Sequence, residues 1–184
     1  MRSLLSVFIL LFVFGFGLSA FAQSTTGKKH VFSFSAMALS SSTKQGGDGP
    51  SGSTVLSHSE YVWSGERFGF GAFFQYDMQG TTEKDSVYGP KVEVYLRPFF
   101  LELGYALSVK RAYTDRTIAE QTGDGTFYGV GARFNLGAGG TSGWFFQASY
   151  KIRTLNIKKQ DGTELDEPIQ QTDGYPLIGI GYQF

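Results

Sequence analysis

Six charged residues recur at positions that could share one interior: Glu60, Glu93, Glu102, Arg133, Lys151 and Arg153. Carboxylates and cations in equal number can neutralise one another, hold an ion or pass a proton. Which of these applies depends on whether the fold buries them and brings them together. His58-Ser59-Glu60 contains the residue types of a hydrolytic triad. On a strand, however, consecutive side chains point to opposite faces, so His58 and Ser59 cannot meet. The only other histidine is His30, and there is no cysteine, which excludes disulfides and thiolate metal sites. No spacing matches a metal-ligand set. Gly69-Phe70-Gly71 and Gly129-Val130-Gly131 alternate along apolar runs and are not phosphate loops. The residues point to no catalytic site, no metal and no cofactor.

Eight segments have the period-two alternation of strands and could position these charges. The first covers residues 30–39, with Phe32, Phe34, Ala36 and Ala38 on one face. The second, 54–63, has no cleanly apolar face. Segment 68–77 aligns Phe68, Phe70, Ala72, Phe74 and Tyr76 against Gly69, Gly71, Gln75 and Asp77. Segment 86–96 sets Tyr88, Val92, Val94 and Leu96 against Lys91 and Glu93. Segment 99–113 sets Leu101, Leu103, Tyr105, Leu107 and Val109 against Glu102 and Lys110. Segments 126–136 and 144–155 repeat the pattern, with Arg133 on the polar face of one and Gln147, Lys151 and Arg153 on that of the other. The last runs from 177 to 184. Segments of about ten alternating residues are the signature of a transmembrane β-barrel.

The connections sort by length. Those at 40–53, 79–85, 114–125 and 156–170 are long and polar, while 65–67, 97–98 and 137–143 are short. Long loops outside and short turns inside are the asymmetry of outer-membrane barrels. Aromatics gather toward segment ends, with Trp63, Phe68, Phe99, Trp144 and Phe184 at one end and Tyr88, Tyr113, Tyr128 and Tyr175 toward the other, as interfacial girdles require. Counted from the short turns, Glu60, Glu93, Glu102, Arg133 and Gln147 fall in one layer. Lys151, Arg153 and Lys110 lie higher. An eight-stranded bore is just wide enough to be filled by side chains, so these charges must pair. The expectation is that Arg133 pairs with Glu102, while Glu93 and Glu60 share the remaining donors.

Both ends agree with export. Arg2 precedes an apolar run over residues 4–18, and Ala20-Phe21-Ala22 supplies a signal-peptidase site. The expected organisation is a signal peptide over 1–22 and a barrel domain over 23–184. Cleavage removes one of 16 basic residues, leaving 15 against 16 acidic ones, a balance that excludes a nucleic-acid binder. At the other end, Gly179, Tyr182 and Phe184 close an alternating run with a terminal aromatic. That ending resembles the C-terminal assembly signal of bacterial outer-membrane barrels, although Leu177 stands where a polar residue is usual.

Taken over nearly all of 23–184, the chain resembles the small eight-stranded outer-membrane β-barrel proteins, similar to the OmpA transmembrane domain and OmpX-like proteins. The resemblance rests on architecture and end signals. It implies an all-β, eight-stranded antiparallel up-and-down transmembrane β-barrel in the outer membrane of a Gram-negative-type envelope. It implies contact with outer-membrane lipids and lipopolysaccharide, insertion by the barrel assembly machinery, and a monomer. Two other readings stand beside a plugged structural or surface-interaction barrel: a narrow channel for ions or small solutes, and a lipid A-modifying enzyme. Deacylases of that kind carry a histidine near the C-terminus, where this chain has none, and the expectation is that it is not an enzyme.

Overall fold

The computed structural model describes residues 30–41, 52–80, 83–114, 119–136 and 143–184. The expected signal peptide and most of the 40–53 and 137–143 connections lie outside the described residues.

Eight strands follow in chain order: β1 (His30–Ser41), β2 (Gly52–Ser64), β3 (Phe68–Gln79), β4 (Glu83–Leu96), β5 (Phe99–Tyr113), β6 (Glu120–Asn135), β7 (Trp144–Gln160) and β8 (Thr163–Gln183). Each pairs antiparallel with the next. β8 then returns to β1, from Val31↔Gln183 to Ala36↔Ile178, so the sheet closes on itself. Closure leaves no long edge to template aggregation.

The strands are longer than the alternation predicts. β4 and β6 begin at Glu83 and Glu120, inside stretches expected to be loops. The supposed loop at 156–170 is mostly a hairpin, in which β7 and β8 continue to Gln160 and Thr163. Asp161 and Gly162 turn it with φ of 48° and 81°. Two consecutive left-handed residues are what a tight type I′ hairpin demands, and Asp-Gly is among its favoured pairs. Polar residues here looked like loop because a hairpin beyond the barrel has water on both faces and no reason to alternate.

One irregularity reverses an expected face. The β4–β5 register shifts between Tyr88 and Lys91, and the β5–β6 register between Ala106 and Val109, because β5 carries one extra residue near Leu107. A bulge of this kind flips the alternation beyond it. Val109, expected outside, is therefore buried in the bore together with Arg111. Lys110, expected inside, is exposed and pairs with Glu120 at 2.7 Å.

The outer face of the barrel is apolar, with Phe32, Phe70, Leu101, Tyr128, Val130 and Ile180 among its exposed side chains. The inner face is more mixed than expected. Phe73, Val87, Ala106, Val109, Phe127, Leu155 and Ile157 form one buried cluster, Val31, Val62 and Phe145 a second, and Leu56, Tyr175 and Leu177 a third. Room for the large rings comes from small neighbours: a Cβ on Gly104 would fall 2.0 Å from the Phe127 ring. Tyr175, expected in the outer girdle, instead points inward and donates to Gln75 Oε1 at 2.8 Å. It sits an odd number of residues from Phe184, which puts it on the inner face.

Candidate functional site: the ionic core of the bore

Five strands bring six charges to one place. β2 contributes Glu60, β4 Lys91 and Glu93, β5 Glu102, β6 Arg133 and β7 Lys151, each on the inner face of its strand. Three carboxylates meet three cations, so the cluster is balanced. The side chains of Glu60, Lys91, Glu93 and Glu102 are 0–1% exposed, which leaves no space for water against them.

Lys91 is the centre of the cluster. Its Nζ contacts Glu60 Oε2, lies 2.9 Å from Glu93 Oε1, and donates to Glu102 Oε2 at 2.7 Å. Arg133 reaches across the bore to Glu93, donating from Nη1 to Oε2 at 2.9 Å and from Nη2 to Oε1 at 2.8 Å. Its Nη2 also donates to Glu60 Oε1 at 3.0 Å. The guanidinium lies over the Phe100 ring, 4.4 Å from its centroid. A planar fork with five donors suits this combination of bidentate pairing and ring stacking.

The expected Arg133–Glu102 pair does not form. Glu102 is taken by Lys91 and by Lys151, whose Nζ lies 2.9 Å from Oε1 and 3.0 Å from Oε2. Adjacent strands are the nearest partners in the sheet, but in a narrow bore a long side chain crosses more readily than it folds back. Lys91, which was visible on the polar face of its strand, is the residue that the layer counted from the turns omitted.

Neutral groups complete the cluster. Ser33 donates to Glu60 Oε1 at 2.6 Å, and Tyr95 to Glu93 Oε2 at 2.6 Å. Gln147 donates to Ser35 Oγ at 2.8 Å and accepts from Arg133 Nε at 3.1 Å. His58 stacks on Phe73 with centroids 5.6 Å apart and lies 2.9 Å from Lys151 Nζ. Its register partner on β1 is Ser35, whose Oγ accepts from Gln147 Nε2 at 2.8 Å.

The carboxylates of Glu60, Glu93 and Glu102 approach within 4.8 Å of one another, a spacing that could hold a metal ion. The Lys91 ammonium already stands among them, supplying the positive charge that an ion would bring. Chemically the cluster can neutralise and seal.

Arg153 belongs to a different group. It contacts Asp77 and donates to Asp173 Oδ2 at 3.3 Å. Gln171 links Asp173 to Arg111, with bonds of 3.0 Å to Asp173 Oδ2 and 2.8 Å from Arg111 Nη1. Arg111 grips Asp85 through Nε and Nη2, both at 2.8 Å. This second network lies nearer the long-loop end. Sequence reading missed Arg111 because the β5 bulge hides its true face.

At the C-terminus, Gly179 faces the bore while Tyr182 and Phe184 point outward. Phe184 stacks on His30, with centroids 5.5 Å apart, and on Tyr182 at 6.2 Å.

These features define an eight-stranded, antiparallel, up-and-down β-sheet protein, apolar outside and ionic within. Among solved structures, the crystal structure of Neisserial surface protein A (NspA) is similar, with a TM-score of 0.55 over 84% of this chain and 96% of that one. The identity is 14%, so the likeness carries the fold alone. No protein-family model matches the chain, and no curated protein matches it.

Proposed function

We propose that this chain is an integral outer-membrane β-barrel whose bore is plugged and whose role is in envelope structure or surface interaction through its external loops. The observation that carries the reading is an inversion: large apolar side chains cover the outside, while paired charges with almost no accessible surface fill the inside. Soluble proteins seldom expose contiguous apolar patches beyond a few hundred Å². In lipid the same belt is the favourable face, and closure satisfies every strand.

Residues 1–22 serve in this reading as the export signal, and 23–184 form the barrel. Gly179, Tyr182 and Phe184 present the final strand to the barrel assembly machinery, and the protein works as a monomer among outer-membrane lipids and lipopolysaccharide. Glu60, Glu93, Glu102, Arg133 and Lys151, with Lys91, act as the plug. Arg153 anchors the second network above it.

Planar-bilayer recording tests the plug. A folded, heat-modifiable barrel that passes no current supports it. Stable, reproducible current steps would overturn it and favour the narrow channel.

A further inference from the structure

Near the long-loop end, the outer wall carries a cleft that a sealed scaffold does not need. β5 and β7 each hold one extra residue beside the same stretch of β6: the β5–β6 register shifts between Ala106 and Val109, and the β6–β7 register between Thr122 and Gly123. Irregularities on both sides of one strand open the surface between them. The cleft there has a volume of about 280 Å³, and its lining includes Leu107, Ser108, Thr122, Asp124, Lys158 and Lys159.

Its chemistry is divided. Lys158 and Lys159 are about half exposed, Lys158 donating to Asp124 at 2.6 Å and Lys159 lying 3.4 Å from Glu164. An ammonium has three N–H donors, so each lysine keeps two to offer. Exposed pairs of this kind hold weakly and exchange readily for a better acceptor. Thr122 stands opposite Lys110 on one side and Lys159 on the other, which sets a third lysine in the same row, this one also in an exposed pair, with Glu120 at 2.7 Å. Toward the short-turn end, the outer face turns apolar at once. Leu107 is 63% exposed and Leu103 56%.

We propose that this cleft docks the phosphate monoester headgroup of an outer-leaflet lipid. Lys158 and Lys159 donate to the phosphate oxygens, with the Thr122 and Ser108 hydroxyls beside them, and the acyl chains run down over Leu107 and Leu103. A monoester carries nearly two negative charges and three acceptor oxygens, which matches two adjacent ammonium groups better than a singly charged diester does. The inference rests on the reading of the barrel as embedded in lipid.

Native mass spectrometry of the purified protein with diphosphoryl lipid A, and with the same lipid stripped of phosphate, tests it. The dephosphorylated lipid should bind roughly tenfold or more weakly, and Lys158→Gln/Lys159→Gln should lose affinity for diphosphoryl lipid A by a similar factor. Asp124→Asn keeps both lysines, frees Lys158 and should tighten binding. Equal affinity of the double variant and the parent, or weaker binding by Asp124→Asn, overturns the site. Displacement of the lipid by inorganic phosphate at equal concentration also overturns it, because the cleft would then hold a free anion. Heat-modifiable migration of the parent in lipid is read alongside: its absence would sink the barrel reading itself, whereas a folded barrel indifferent to phosphate sinks the cleft alone.

Discussion

Glu93 and Glu102 stand directly opposite each other across the β4–β5 ladder, both turned into the bore. Like charges in register repel, and more strongly where water is excluded. Lys91 resolves the conflict, with its ammonium 2.9 Å from one carboxylate and 2.7 Å from the other. Arg133 and Lys151 each hold one of the two carboxylates as well, but Lys91 alone bridges both.

Lys91→Met should therefore be among the most destabilising substitutions in the barrel. It leaves three carboxylates to two cations in a dry site, and breaking a buried pair by removing one partner costs about 3–5 kcal/mol. Adding Glu102→Gln restores the charge balance and should recover part of that loss. Denaturant unfolding in lipid vesicles measures both. A Lys91→Met barrel as stable as the parent, or a double variant less stable than Lys91→Met, would count against the bridging role.

Arg133 is the second support of the same cluster. Arg133→Met removes both donors to Glu93 and one to Glu60, and the expected loss is again about 3–5 kcal/mol. Arg133→Lys keeps the charge but loses the fork and the stacking on Phe100, so it should fall between the two. Thermal unfolding of the three proteins gives the order. If lysine proves as good as arginine, the bidentate geometry is not what matters.

How far these contacts were legible in the sequence depends on the element. Alternation exposes a strand when one face is outward and apolar and the other lines a polar bore, as in β7, where Trp144, Phe146 and Tyr150 oppose Gln147, Lys151 and Arg153. It fails where the inner face is itself apolar: Phe73 and Phe127 are large apolar residues on that face, each a buried ring in the bore. It also fails past the β5 bulge, because counting by twos cannot register an inserted residue. Which charges lie inside was largely legible. Which charges pair was not, since pairing across the bore depends on stagger between strands, and no single strand carries that information.

The β1–β8 seam is the shortest in the barrel, with its registered pairs running only from Val31↔Gln183 to Ala36↔Ile178. Gly179 lies within it, and a Cβ there would fall 2.2 Å from the Phe34 carbonyl oxygen and 2.2 Å from Ser35 Oγ. The backbone oxygen cannot swing aside as a side chain would. Gly179→Val should push β8 away from β1 and reduce the folded, heat-modifiable fraction. A variant that refolds as completely as the parent would show that the seam can shift to admit a side chain.

Phe184 holds the same seam at its short-turn end in two separable ways. Its backbone exchanges hydrogen bonds with His30, from His30 N to Phe184 O at 3.1 Å and from Phe184 N to His30 O at 3.0 Å, and its ring stacks on the imidazole. Deleting Phe184 removes all three contacts together with any assembly signal, so a defect in the deletion alone would be ambiguous. His30→Ala separates the causes, because it keeps Phe184 and its backbone bonds while removing the stack, together with the 2.7 Å contact of His30 Nδ1 with the Tyr61 hydroxyl. Each net hydrogen bond is worth about 0.5–1.5 kcal/mol, so the deletion should cost only a modest amount of stability in vitro. If Phe184 is read by the assembly machinery, its deletion should strongly reduce the barrel recovered in outer membranes while refolding into vesicles stays close to normal, and His30→Ala should assemble like the parent. Equal losses for the two variants, in cells and in vesicles alike, would mean that Phe184 acts only as a clasp on β1.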